Sequence, residues 1–244
     1  MQINDFKSTV MMFADPDTEI LFEKERFIIS VNGDLMTANI TTKYGDIFVN
    51  EGSGLESANK WILNRLARLP LLASRLTENV PPTEYFVSPS ASLEPTLEKN
   101  PRNTAIPTND ALSTIIQEIG GHSPLETMVM YITSDAGEGK TSLINEMARY
   151  QSKLYIENKS DWLLVPIPLG GRHFLRFDDI TVGALQNRYR FPFLYYNSFL
   201  ALVKMGVIVP AFDGFEEMFV ENSSGEALSA MGILVSSLES RGTI

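Results

Sequence analysis

Residues 134–141 read Ser-Asp-Ala-Gly-Glu-Gly-Lys-Thr, small residues leading to a lysine and a hydroxyl at a spacing that could hold phosphate. The stretch fits the pattern Gly-x-x-x-x-Gly-Lys-Ser/Thr at Gly139, Lys140 and Thr141, with Ser134 in place of the first glycine. Glycines such as Gly137 and Gly139 let the chain curl until successive main-chain N–H groups converge on phosphate oxygens. A helix beginning near Lys140 would add its positive end there. Lys140 would reach the β and γ phosphates, and the Thr141 hydroxyl would ligate Mg²⁺. The expected phosphate-contacting set is Ser134, Gly137, Glu138, Gly139, Lys140, Thr141 and Ser142. Asp135 and Glu138 bring negative charge beside a polyanion, so their side chains are expected to point to solvent.

A second motif follows later in the chain. The apolar run Val207-Ile208-Val209-Pro210-Ala211-Phe212 ends in Asp213-Gly214-Phe215-Glu216-Glu217, a strand delivering carboxylates at its C-terminal edge. Ligands of open parallel sheets bind at that edge. Asp213 would hold Mg²⁺ through water, and Glu216 or Glu217 would orient or deprotonate an attacking water. Each motif also has a plain structural reading. The first could be a solvated turn with a helix cap, and the second an acidic turn after a buried strand.

The elements that must position these residues begin at Thr108. A helix is expected over Ala111–Ile119, ended by Gly120-Gly121 in the left-handed region, followed by a strand over Thr127–Ile132. A helix is expected from Lys140 to Tyr150 and an apolar run from Trp162 to Leu169, whose prolines 166 and 168 suit a strand end or sheet edge. Helices near 179–188 and 193–205, the strand Val207–Phe212 and a helix over 225–239 complete the set. Apolar strands alternating with helices predict α/β architecture, a parallel sheet covered by helices.

The preceding residues differ in pattern. Phe27, Ile29 and Val31 alternate before Asn32-Gly33, a pair suited to a hairpin turn in which both central residues take positive φ. Tyr44-Gly45-Asp46 suggests a second turn, and the three- and four-residue spacing from Leu55 to Leu69 predicts a helix. Residues 1–80 read as a small α+β module. Prolines 81, 82, 89, 95, 101 and 107 make 81–107 a linker in which neither helix nor ladder persists, and 108–244 is the α/β core.

Composition narrows the function classes. The 244 residues carry a net charge of -10 with no basic segment, so nucleic acid is not an expected partner of this stretch. No apolar run approaches a membrane span and no basic-then-apolar leader opens the chain, so a cytoplasmic protein without membrane contact is expected. Cysteine is absent, which excludes thiol catalysis and Cys-ligated metal. His122 and His173 are too few and too separated for a histidine metal site. Arg172 or Arg176 could meet a phosphate, or could pair with Asp178 or Asp179. The aromatic stripe from Tyr189 to Phe199 reads as core or domain interface rather than a base-stacking platform.

The loop Gly137-Glu138-Gly139-Lys140-Thr141-Ser142-Leu143 and the strand-end Asp213-Gly214-Phe215-Glu216-Glu217 together resemble the NACHT group of STAND-class P-loop NTPases, which includes bacterial anti-phage sensors. The resemblance covers residues 108–244. It implies ATP and Mg²⁺ as ligands, Lys140 and Thr141 on phosphate and metal, Asp213 on metal, and Glu216 or Glu217 in hydrolysis. It further implies a signalling switch that self-associates or engages a partner protein according to nucleotide state. The next strand in this family, bearing an arginine sensor, would begin at Gly242-Thr243-Ile244. The chain is accordingly expected to be a fragment that binds ATP and hydrolyses it poorly. ATP rather than GTP rests on the resemblance, since no Asn-Lys-x-Asp guanine reader occurs. The rival readings are an AAA+-type motor ATPase, although Gly214 stands where such proteins tend to place a glutamate, and a non-catalytic interaction module with a degenerate loop.

Overall fold

The computed structural model describes residues 2–18, 20–52, 54–94, 105–169, 176–214 and 224–244. Compactness divides the chain into two units, Met1–Arg75 with Arg176–Leu202, and Leu76–Leu175 with Val203–Ile244. Residues 176–202, expected within the 108–244 core, thus group with the N-terminal module.

The first unit is built on a five-stranded antiparallel meander. Its strands are β1 (Leu21–Glu23), β2 (Arg26–Val31), β3 (Asp34–Lys43), β4 (Asp46–Asn50) and β5 (Glu56–Ser57), paired in chain order. Asn32 and Gly33 have φ of 53° and 79°, and Tyr44 and Gly45 have 53° and 85°, so both hairpin turns form where expected. Phe27, Ile29 and Val31 are buried on one face of β2, and helix α1 (Ile3–Met11) supplies Phe6 and Val10, one turn apart. Phe27 meets the rings of Phe6 and Trp61 edge-on, at centroid distances of 5.7 and 5.6 Å.

The single helix expected over Leu55–Leu69 is divided. Helix α2 (Ala58–Trp61) widens into a π-helical turn over Ile62–Leu66, breaks at Arg68 with φ of 50°, and restarts as α3 (Leu69–Asn79). Pro70 explains the restart: it has no N–H to give to the Leu66 carbonyl, so an unbroken helix would lose a hydrogen bond there. Residues 177–192 repeat the device. Helix α6 (Phe177–Gly183) enters a π-helical turn over Ala184–Arg188, and Arg190 takes φ of 50° two residues before Pro192. The Arg68 guanidinium lies 4.2 Å from the centroid of the Phe193 ring. Tyr189, Phe191, Leu194 and Phe199 are buried, so the aromatic stripe is core. Helix α7 (Tyr196–Lys204) follows.

The second unit departs from the expected sheet. Strands β6 (Ala91–Leu93) and β7 (Ile106–Thr108) form a short antiparallel pair inside the proline-rich stretch, where no ladder was expected; residues 95–104 lie outside the described residues. Helix α4 (Ala111–Gly121) is started by the Asp110 carboxylate, which accepts the Ser113 N–H at 3.1 Å. It runs through both glycines and leaves into extended backbone at His122 (φ -77°, ψ 140°), so the expected left-handed cap is not used. Strands β8 (Leu163–Pro168) and β9 (Ile208–Asp213) pair in parallel from Leu163↔Ile208 to Pro168↔Asp213. Leu163 and Leu169 donate to the carbonyls of Val207 and Asp213. Donors alternate along a parallel strand, so Pro166 and Pro168 fall on the edge away from β9, where their missing N–H groups cost this ladder nothing.

The expected strand over Thr127–Ile132 is a single parallel bridge, Met128↔Thr243, flanked by hydrogen bonds between Met128–Met130 and Gly242–Ile244. A strand needs a neighbour along its length, and residues 242–244 supply one only to 128–130. Among the described residues the architecture is mixed α/β, with an antiparallel N-terminal sheet and a small parallel pair rather than an extended parallel sheet. Helix α5 (Lys140–Ile156) and helix α8 (Ser224–Ser237) complete the set. Among the described residues no helix is long and apolar enough to cross a membrane.

Candidate functional site

Helix α5 is held by its buried side before it presents its first turn. Leu143, Ile144, Met147, Ala148, Gln151 and Ser152 are buried at helical spacing, and the helix packs against β8. The Gln151 amide donates to the Trp162 carbonyl at 3.1 Å, tying the far end of the helix to the start of that strand. On another side, Glu146 accepts the Thr83 N–H at 2.8 Å, and Arg149 Nη1 donates to the carbonyls of Thr77 and Val80 at 2.9 Å each. Arg149 thereby satisfies carbonyls at the end of α3, a place that favours a cation. These anchors accompany a helix that runs to Ile156, past its expected end at Tyr150.

The loop before α5 takes its shape from two glycines. Gly137 and Gly139 have φ of 86° and 92°, a region costly for any residue with a Cβ. A Cβ built at either would meet nothing within 4 Å, so open space borders both. Gly139 is the N-cap of α5, and the first N–H groups of a helix have no carbonyl of their own helix to bond. The Lys140 ammonium donates to the carbonyls of Ser134 and Asp135, at 2.9 and 3.3 Å. Ser134 therefore takes part through its main chain, a role its residue type does not announce. The Glu138 carboxylate, expected to point to solvent, is exposed but also accepts the Asp135 N–H at 3.1 Å.

Strand β9 runs from buried Ile208, Val209 and Pro210 to half-buried Asp213. There the Thr141 hydroxyl donates to Asp213 Oδ1 at 3.1 Å, joining residues 72 positions apart. Loop lysine, loop hydroxyl and strand-end carboxylate thus belong to one site. Beside it lies a cavity of about 140 Å³ lined largely by apolar side chains, among them Val129, Ile132, Ile144 and Val209, with Lys140 and Asp213 also on its wall. That lining suits no phosphate; the polar surface is the loop itself.

The donor set fits a magnesium–nucleotide complex. Mg²⁺ typically takes one or two protein oxygens plus phosphate oxygens and water, and Thr141 and Asp213 offer one oxygen each. Among the described residues no group of three or more His, Asp or Glu side chains could hold a metal alone. Ser142 lies half-buried in the first turn of α5. Glu216 and Glu217 lie outside the described residues, as do Arg172 and His173. Arg176 pairs with Asp178 at 2.8 Å, the alternative to a phosphate contact, and His122 Nε2 lies 2.9 Å from the Glu126 carbonyl oxygen.

Comparison with protein-family models, with curated proteins and with solved structures finds no match.

Proposed function

We propose that the chain binds ATP with Mg²⁺ at the Ser134–Thr141 loop and Asp213, as a nucleotide-dependent switch of the kind its two motifs resemble. The observation that supports this most is the hydrogen bond between Thr141 and Asp213, because it brings together the hydroxyl that would ligate Mg²⁺ and the carboxylate that would hold it through water. When bound, the nucleotide would supply a β–γ phosphoanhydride bond, which this class of site promotes to break with transfer of the γ-phosphoryl group to water and release of ADP. The main-chain N–H groups at the start of α5 and the Lys140 ammonium receive phosphate charge, while Thr141 and Asp213 supply metal oxygens. Glu216 or Glu217 orients the attacking water. The finer fold, a P-loop NTPase core of NACHT type, belongs to the same proposal, with β8, β9 and the Met128–Thr243 bridge as parts of its parallel sheet. Self-association or capture of a partner protein in the cytoplasm, in antiviral defence, is the output this reading implies.

Calorimetric titration of MgATP into wild type and Lys140→Ala tests the site. Loss of a charge-assisted contact predicts about 100-fold weaker binding by the variant. Equal, negligible binding by both proteins overturns the proposal in favour of an interaction module. Steady turnover by the isolated chain turns it toward a motor ATPase.

A further inference from the structure

We infer that Glu138 is a positioning residue of the phosphate loop, gripping one end of the Ser134–Asp135 peptide so that the other end holds the Lys140 ammonium. The inference rests on the nucleotide reading of the loop and concerns the Glu138 side chain, which that reading expects to point to solvent.

A trans peptide is planar, and its C=O and N–H point in opposite directions. In the peptide between Ser134 and Asp135, the N–H donates to Glu138 Oε2 at 3.1 Å and the C=O accepts Lys140 Nζ at 2.9 Å. The carboxylate and the ammonium therefore hold opposite ends of one rigid plate. A second bond supports the first: the Glu138 N–H donates to the Asp135 carbonyl at 3.3 Å, closing the turn across Ala136 and Gly137 from both ends. That carbonyl also receives Lys140 Nζ at 3.3 Å and the Ser134 hydroxyl at 3.4 Å. Without the Glu138 acceptor the plate is free to rotate, which turns its carbonyl away from the ammonium. Glycine at 137 and 139 gives the loop freedom to curl, and Glu138 removes the part of that freedom that would misplace Lys140.

The test compares Glu138→Ala with Glu138→Gln in the full chain, using MgATP and inorganic pyrophosphate as probes. Glutamine keeps an acceptor oxygen and loses the charge; alanine loses both. Glu138→Ala should bind both probes about fivefold more weakly, the effect of one modest hydrogen bond, and Glu138→Gln should restore affinity to within about twofold of wild type. Hydrogen exchange in the unliganded protein should be faster at the Asp135 amide in Glu138→Ala and restored in Glu138→Gln. If the carboxylate acted only by repelling phosphate, both variants would bind more tightly, and that result overturns the inference. Unchanged exchange in both variants also overturns it. Should wild type bind neither probe, the nucleotide reading fails, and the exchange measurement still decides what Glu138 does.

Discussion

Two turns in this chain are built on residues of positive φ, and they are used in opposite ways. At Asn32-Gly33 both N–H groups donate to the carboxylate of Asp15, which also accepts the Ser30 hydroxyl at 2.6 Å and the Tyr195 hydroxyl at 2.9 Å. The anion there is part of the fold. At Gly137–Gly139 the glycines border open space, and helix α5 starts directly after them, with no side chain capping it at Gly139. A turn that depends on positive φ serves as a structural clasp in one unit and as a candidate ligand site in the other. What separates them is the source and placement of the carboxylate: Asp15 comes from 17 residues away to take the N–H groups of Asn32 and Gly33 themselves, whereas Glu138 belongs to its own loop and takes the N–H of Asp135, ahead of the glycines.

The largest effect that distinguishes the two should come from Asp15→Ala. It leaves two N–H groups and two hydroxyls without their acceptor in a half-buried place, a loss of about 2–3 kcal/mol of stability. Thermal unfolding should fall by about 5–10 °C, with MgATP affinity unchanged. Lys140→Ala should do the reverse, removing affinity while leaving the melting temperature near that of wild type. A variant pair that moved both quantities together would erase the distinction between clasp and site.

A smaller effect should appear with acid. Partial burial by itself would raise the Asp15 pKa, but the hydrogen bonds from Ser30, Gly33, Tyr195 and Asn32 outweigh it and hold the carboxyl below its usual value. The sign follows from linkage. A carboxyl whose folded pKa is depressed adds stability that is present above its unfolded pKa, about 3.9, and is lost as pH falls through the folded value. Denaturant unfolding followed below about pH 4 should therefore show wild type losing stability more steeply than Asp15→Ala. Parallel curves for the two proteins would show that the clasp does not depend on the charge.

The contrast also marks what residue order can reveal. Asn32-Gly33 and Tyr44-Gly45 are legible as turns because positive φ restricts residue type, and the loop at 134–141 is legible because its glycines, lysine and threonine each meet a local demand. The Asp15 clasp is not, since an aspartate carries no sign of which distant turn it will meet. Nor is the grouping of residues 176–202 with the N-terminal residues, where Tyr195 meets Asp15 and Phe193 meets Arg68 across more than 100 positions of sequence. Pro70 is a local signal for a helix break, but the spacing from Leu55 to Leu69 masks it, because a π-helical turn keeps apolar residues on nearly the same face. The expectation that Glu138 faces only solvent misses its bond because the partner is a main-chain N–H, which every residue but proline has.

The smallest effect concerns Thr141→Val, which keeps the shape of the side chain and removes its hydroxyl. The hydrogen bond to Asp213 lies at an exposed position, so water can replace it and stability should change by less than about 0.5 kcal/mol. Its loss should matter only when metal is present. If Thr141 and Asp213 share Mg²⁺, the variant should bind ATP as wild type does in EDTA and fail to gain the added affinity that Mg²⁺ gives wild type. If Mg²⁺ strengthens ATP binding equally in both proteins, the pairing of Thr141 with Asp213 is a surface hydrogen bond like any other, and the open turn loses its claim to differ in purpose from the closed one.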